Sequence, residues 1–235
     1  MAIRDAAAKA VHTLLNRPAD VPPEEQAYRR LTGKGYRPSG IIDVGAYRGE
    51  WTRLAPRVFR DVPTLMVEAQ GGKIPHLERV CSELAGVTYV NAALSSEPGK
   101  EVVFHEMETG SSLLHENSNV AAREVRMVTQ TLDGIAAAVP APLFLKIDVQ
   151  GAELMVLAGA TATLDRADLV QLEIAVLEYN RGAPTMREVL DYMDARGFAP
   201  YDLAGWSRPD GVHLVQIDLL FTRKDSSLRP RQFTF

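Results

Sequence analysis

Asp43-Val-Gly-Ala-Tyr-Arg-Gly49 follows a short apolar run and leads into a helical pattern. A carboxylate and two glycines therefore stand where a strand passes into a helix, a place where backbone N–H groups collect and a ligand can approach the main chain closely. The spacing is Asp-x-Gly-x-x-x-Gly and not Gly-x-Gly-x-x-Gly, and a carboxylate at Asp43 suits an amino-bearing ligand while repelling a pyrophosphate. The next apolar run ends in Glu68, where a carboxylate can accept both hydroxyls of a ribose. A third ends in Asn91-Ala-Ala-Leu-Ser95, whose small side chains leave room for a flat ring. A ribosyl ligand with an amino-acid-like end meets these demands, and S-adenosylmethionine is one, with its ammonium, its sulfonium and two free ribose hydroxyls. The candidate cofactor residues are Asp43, Gly45, Ala46, Gly49, Glu68, Ala69, Asn91, Ala92, Ala93 and Asp148.

Transfer of a methyl group from a sulfonium is an in-line displacement, so the protein must align the acceptor oxygen and exclude water. An alcohol is a poor nucleophile at neutral pH, which calls for a positioned base or a metal ion. Asp148 ends the apolar run 142–148 and belongs at the mouth where open α/β sheets bind ligands. Lys146 lies two residues earlier on the same strand face. Glu173, near the end of the run 168–175, stands beside Asp148 if the two strands are neighbours, and the pair could share base work or hold Mg²⁺. His213 is a further candidate, at the start of a late strand after a loop that could overhang the cleft. Glu153 reads as a first-turn helix residue favoured by the dipole. Trp51, Tyr179, Tyr201 and Trp206 could wall a sugar ring or pack in the core.

These residues need a scaffold. From residue 40 onward, short apolar runs near 40–45, 64–69, 87–91, 142–148 and 168–175 alternate with helical patterns near 49–59, 73–85, 151–164 and 184–196. That order predicts strand–helix–strand units and a mainly parallel sheet. Two extra strands at 101–107 and 124–130 flank a Ser/Asn/Gly-rich loop, Glu108 to Asn119, long enough to be functional. Runs at 198–201 and 213–222 predict a closing antiparallel hairpin. Residues 1–39 form an N-terminal helical extension with an amphipathic helix at 2–16, which packs on the main domain or a partner subunit; residues 40–223 form the main domain, and 224–235 a polar tail.

The composition of the 235 residues is that of a globular chain, 46% apolar and 24% charged. A net charge of −4 gives no electrostatic footprint for nucleic acid. The single cysteine, Cys81, excludes an internal disulfide and fits a reducing cytoplasm. No apolar stretch reaches the length of a membrane helix, and charges near the start replace the apolar core of a signal peptide.

With these motifs in order, the sequence resembles the FkbM family of S-adenosylmethionine-dependent methyltransferases. The resemblance rests on Ile42-Asp-Val-Gly-Ala-Tyr-Arg-Gly49, Met66-Val-Glu-Ala69, Asn91-Ala-Ala-Leu94, Ser111-Ser-Leu113, Thr131-Leu-Asp133, Leu145-Lys-Ile-Asp-Val-Gln-Gly-Ala-Glu-Leu154 and Val156-Leu-Ala-Gly-Ala160. Two departures stand out. Gln150 replaces the family's usual Glu, and Ala69-Gln70 follows Glu68 where the family usually has proline. The resemblance implies a Rossmann-like class I methyltransferase sandwich, a seven-stranded, mostly parallel sheet with a C-terminal antiparallel hairpin and helices on both faces. It implies O-methylation of a hydroxyl on a sugar, polysaccharide or polyketide-type small molecule, and a role at the site for Ser111 and Ser112. A nicotinamide-dependent oxidoreductase is a second reading, which the missing Gly-x-Gly-x-x-Gly disfavours. A non-catalytic S-adenosylmethionine-binding protein is a third, favoured by Gln150.

Overall fold

The computed structural model describes residues 21–117, 120–230 and 232, so the expected helix at 2–16 lies outside the described residues. Helix α1 (Pro23–Gly33) precedes strand β1 (Gly40–Val44), helix α2 (Glu50–Leu54), β2 (Thr64–Glu68), α3 (Ile74–Glu83) and β3 (Val87–Asn91). A small sheet follows from β4 (Ala93–Leu94), β5 (Glu101–Glu106) and β6 (Arg123–Gln130). The chain continues through α4 (Leu132–Ile135), β7 (Leu143–Ile147), α5 (Glu153–Ala158), α6 (Thr161–Asp165), β8 (Ala167–Ala175), α7 (Met186–Ala195), β9 (Phe198–Ser207) and β10 (Gln216–Arg223).

The main sheet has seven strands in the order β3-β2-β1-β7-β8-β10-β9. Its pairings are parallel except those of β10, which runs antiparallel to both neighbours. This is the Rossmann-like methyltransferase sandwich with its closing antiparallel hairpin. The order reverses at β1, between β2 and β7, and a crevice opens there at the carboxyl ends of the strands.

Strands β1, β2 and β7 are buried along their whole length, which is why they read as mainly apolar runs, broken only by Asp43, Thr64, Glu68 and Lys146. On one face, Ile42, Leu145 and Val170 pack against Val156 and Leu157 of α5 and Met193 of α7. On the other, Ile41, Phe144 and Leu169 meet Tyr28 and Leu31 of α1 and Trp51 of α2. The Phe144 ring lies 5.4 Å from that of Tyr28 and 5.5 Å from that of Trp51, both edge-on. Each such side chain contributes roughly 1.5–3 kcal/mol by leaving water. Two residues further along each strand this second face turns polar, through Asp43, Lys146, Gln171 and Asp218, and that change of character positions the site.

Local chemistry adjusts the expected boundaries. Pro56 lies in a 3-10 turn at Ala55–Arg57, so the helix expected over 49–59 is short. The stretch 151–164 is two helices with Gly159 and Ala160 between them, and only glycine fits at 159, where a Cβ would lie 2.3 Å from the Ser95 carbonyl oxygen. The last strand starts at Gln216 and not at residue 213. Asp210 accepts the backbone N–H groups of Val212 and His213 and folds that stretch into a turn. Residues just after β10 are docked: Leu228 is buried, and the Arg229 guanidinium donates to Thr222 Oγ1 and the Pro200 carbonyl.

Candidate functional site

The turn after β1 is built around left-handed backbone at Gly45 (φ 77°), Tyr47 (φ 51°) and Gly49 (φ 76°). Gly45 N–H and Ala46 N–H donate to the Val67 carbonyl, tying the turn to β2. A Cβ on Gly45 would lie 1.7 Å from the carbonyl oxygen of Asp148, so only glycine fits where the ends of β1 and β7 meet. Gly49 instead lets the turn pack on α3, since a Cβ there would meet Val80 at 2.6 Å.

A cleft of about 310 Å³ opens above this turn. It gathers Gly45, Glu68, Ala69, Ala92, Ala93 and Asp148 from the expected cofactor residues, together with Glu173, Ser111 and Ser112. Glu68 accepts the N–H of Tyr47 through Oε2 and that of Gln70 through Oε1, both at 2.7 Å, which fixes its carboxylate at the wall. Burial raises its pKa above the ordinary carboxylate value, and the two N–H groups oppose that rise. Asn91 stands outside the cleft, where its amide donates to the carbonyls of Glu68 and Ala69 and holds the end of β2.

Among the described residues the cleft is lined by three carboxylates, Glu68, Asp148 and Glu173, and by no lysine or arginine. Such a wall suits a ligand bearing ammonium and sulfonium charges and opposes the pyrophosphate of a nicotinamide dinucleotide. Glu68 keeps lone pairs for a ribose, and Ala92, Ala93 and Leu94 present small apolar surface to a ring. These residues fit S-adenosylmethionine.

Beneath the turn a second cavity, about 360 Å³, shares Gly45, Tyr47, Asp148, Glu173 and Gln216 with the first. It also takes in Ala46, Lys146, Trp51, Glu24 of α1 and Asp218 of β10. The Lys146 ammonium, 6% exposed, lies 3.3 Å from Asp43 Oδ1 and 3.4 Å from Asp148 Oδ2. Burial alone would lower its pKa, but Asp43 and Asp148 reverse the sign and hold it above the ordinary lysine value. Asp43 itself is fully buried, accepts from Thr52 Oγ1 at 2.6 Å, and lines neither cavity.

Gln150 joins the two carboxylates expected to act together. Its Nε2 donates to Asp148 Oδ1 at 3.1 Å and to Glu173 Oε2 at 2.7 Å. Its own carbonyl accepts from Ser112 Oγ at 2.8 Å and Asn180 Nδ2 at 2.7 Å, which pins a residue in left-handed backbone (φ 55°). Glu173 also accepts from Tyr179 OH at 3.1 Å and from the Gln216 amide. Burial first, and the Asp148 charge second, push the Glu173 pKa well above the carboxylate range. Across the sheet, Asp218 is raised to about 7 by burial and by Asp148.

The donors around Glu173 are amides and a phenol, and among the described residues no group of three or more His, Cys, Asp or Glu is arranged to hold a metal ion. The Mg²⁺ expectation for Asp148 and Glu173 is therefore not carried forward. His213 does not overhang the cleft; it sits in the exposed turn beside Asp210. The four aromatic candidates do not form one wall. Trp51 is in the core, Tyr179 bonds Glu173, the Tyr201 hydroxyl accepts from Lys34, and Trp206 is exposed on the edge strand.

The loop after β5 folds over the cleft, bringing Thr109, Ser111 and Leu113 to its wall. Glu108 is held by Tyr47 OH and by Lys73 Nζ at 2.9 Å, with Arg48 beside it. These partners, the Tyr47 hydrogen bond foremost, lower the Glu108 pKa to about 2.

Glu153 underlies the loop that carries Gln150, and its Oε1 accepts the N–H groups of Val149 and Gly151, both at 3.1 Å. Burial pushes its pKa from 4.5 up to about 7. Between those values the folded chain binds more protons than the unfolded one, so stability falls as pH rises from 4.5 to 7 and is level above. Glu153→Gln keeps an oxygen for both N–H donors and removes the charge. Urea unfolding at pH 5 and pH 8 should show a decline smaller by roughly 3 kcal/mol in the variant than in the wild type. An unchanged decline would place the titration elsewhere.

Sequence reasoning missed Gln150 as a clamp, and it missed Gln216, Asp218 and Glu24. Gln216 and Asp218 did carry a signal: they are two apart on one strand, hence on one face, and Asp218 pairs in register with Glu173. Directly behind Asp218 on β9 is Gly205, where a Cβ would lie 2.4 Å from the Asp218 Oδ2.

No curated protein matches the sequence. Among solved structures the chain is similar to the 1,6-didemethyltoxoflavin-N1-methyltransferase of Burkholderia thailandensis, with 15% identity, 95% of this chain and 88% of that one covered, and a TM-score of 0.47. It is also similar to magnesium protoporphyrin IX methyltransferase (ChlM) of Synechocystis PCC 6803, with 13% identity, 86% and 80% covered, and a TM-score of 0.46. An rRNA methylase from Streptococcus thermophilus gives 10%, 88% and 99%, and 0.49. Likeness this distant carries nothing about the acceptor. The methyltransferase FkbM domain family model matches residues 43–200, more than half of the chain, and that span contains the glycine turn, Glu68, Asp148, Gln150 and Glu173. The chain belongs to the FkbM methyltransferase family and is an S-adenosylmethionine-dependent methyltransferase.

Proposed function

We propose that this chain methylates a hydroxyl group of a sugar, polysaccharide or polyketide-type small molecule, with Asp148 as the group that takes the hydroxyl proton. The observation that carries this reading is the position of Asp148, a residue that lines both the cofactor cleft and the second cavity. When bound, S-adenosylmethionine supplies a methyl carbon already activated by its sulfonium. The protein then has to align an oxygen with that carbon and remove one proton.

Gln150 fixes Asp148 through Oδ1, which leaves Oδ2 as the atom that accepts the proton while the acceptor's O–H bond breaks and its O–C bond forms. Lys146, 3.4 Å from Oδ2, pairs with the carboxylate and holds it in place. Glu173 accepts from Gln150, Tyr179 and Gln216, so its oxygens are engaged in orienting neighbours and base work falls to Asp148. The loop at Glu108–Ser112 lines one wall of the cleft and is tied down through Glu108 and Lys73.

The test is incubation of the full chain with methyl-labelled S-adenosylmethionine and a panel of sugars, oligosaccharides and hydroxylated polyketides. Label is expected in a base-stable ether on one hydroxyl. Label appearing only on nitrogen or carbon of any acceptor would overturn O-methylation.

A further inference from the structure

Gln70 is the second residue beyond β2 and is only 5% exposed. Its backbone N–H donates to Glu68 Oε1, which anchors it beside the carboxylate that faces a ribose. It lines the cleft, yet its side-chain amide makes no hydrogen bond to any described residue. Neither amide atom is sealed from water in the open cleft, but a ligand that fills the cleft displaces that water, and leaving a strong donor and a strong acceptor unpaired would then be costly, so a partner is expected from what fills the cleft. The same wall carries apolar surface for a flat ring, through Ala69, Ala92, Ala93, Leu94 and Phe104.

The geometry points to Gln70 as the residue that reads the adenine edge of the cofactor, its Oε1 accepting from the exocyclic amine and its Nε2 donating to the adjacent ring nitrogen. Adenine presents a donor and an acceptor side by side, and a primary amide matches that pair in two parallel hydrogen bonds. Glu68 then selects the ribose and Gln70 the base. This assignment rests on the S-adenosyl reading of the cleft.

The experiment is calorimetric titration of the full chain with S-adenosylhomocysteine and with its analogue whose purine lacks the 6-amino group, on the wild type, Gln70→Met and Gln70→Glu. The wild type is expected to prefer the adenine ligand by about tenfold, since a site built to bond a group rejects the analogue without it. Gln70→Met is expected to bind both within about threefold of each other. Gln70→Glu keeps the oxygen for the amine and loses the donor to the ring nitrogen, so it should retain a preference at lower affinity. Equal binding by the wild type, or an undiminished preference in Gln70→Met, would overturn the Gln70 assignment alone. If neither ligand binds the wild type, the cofactor reading falls and takes the assignment with it. Should Gln70→Met fail to fold, an affinity for the adenine ligand in Gln70→Glu equal to that of the wild type would likewise overturn it.

Discussion

Asp148→Asn is expected to lower turnover by roughly two to four orders of magnitude while changing the affinity for S-adenosylhomocysteine by less than about tenfold. Asparagine keeps an oxygen at Oδ1 for the Gln150 amide, so the loop and its contacts with Ser112 and Asn180 survive. What is lost is the atom that takes a proton and the charge that faces Lys146. Single-turnover kinetics beside a calorimetric titration separates the outcomes. Parallel loss of rate and affinity would make Asp148 a cofactor-holding residue, and an unchanged rate would remove it from the chemistry. Glu173 does not stand in as the base, because its oxygens already accept from Gln150, Tyr179 and Gln216.

Gly45→Ala should have the largest effect on the cofactor site. Its Cβ would have to occupy space 1.7 Å from the Asp148 carbonyl oxygen, and its φ of 77° is one that alanine resists. The strain and the displaced strand end together should cost about 2–4 kcal/mol of stability. For a chain of this size that is a fall of very roughly 5–15 °C in melting temperature. Affinity for S-adenosylhomocysteine should drop at least about tenfold, because the same collision pushes Asp148 into the cleft. Gly49→Ala is the control. It also forces a left-handed alanine, but its Cβ meets the Val80 side chain on the far side of the turn, so stability should fall while affinity in the folded fraction holds. Equal affinity in both variants would show that the junction of β1 and β7 does not shape the cleft.

The sheet was legible because its inner strands are buried on both faces and carry no competing pattern. Gly40–Val44 and Leu143–Ile147 are apolar except for Asp43 and Lys146, and those two are exceptions because they satisfy each other. That mutual pairing was invisible in the sequence, where 103 residues separate them. It explains why Asp43 reads as a ligand carboxylate and yet lies in the interior. Glu68, Gly45 and Asp148 could be placed from strand ends alone, since an open parallel sheet delivers such residues to one edge. Gln150 could not, because its role depends on Asp148 and Glu173 arriving on either side of it from two strands. Glu24 was equally hidden, since its position is set by the burial of Tyr28 against Phe144 and by the Gln171 amide that bonds its carboxylate. The shift of the last strand from residue 213 to Gln216 came from one capping aspartate, Asp210, which outweighed the β-branched character of the residues around it.

Gly205 gives the enzyme an adjustment screw outside its own binding surface. Strand β9 contributes no residue to the wall of the lower cavity, yet a side chain at 205 would collide with the Asp218 carboxylate, which does line it, and displace that group. The volume and charge of that cavity can therefore be reset by mutation at a position that touches neither ligand, leaving Glu68, Asp148 and Gln150 untouched. Descendants of this chain could diverge in what they accept while every residue at the reaction centre stayed the same.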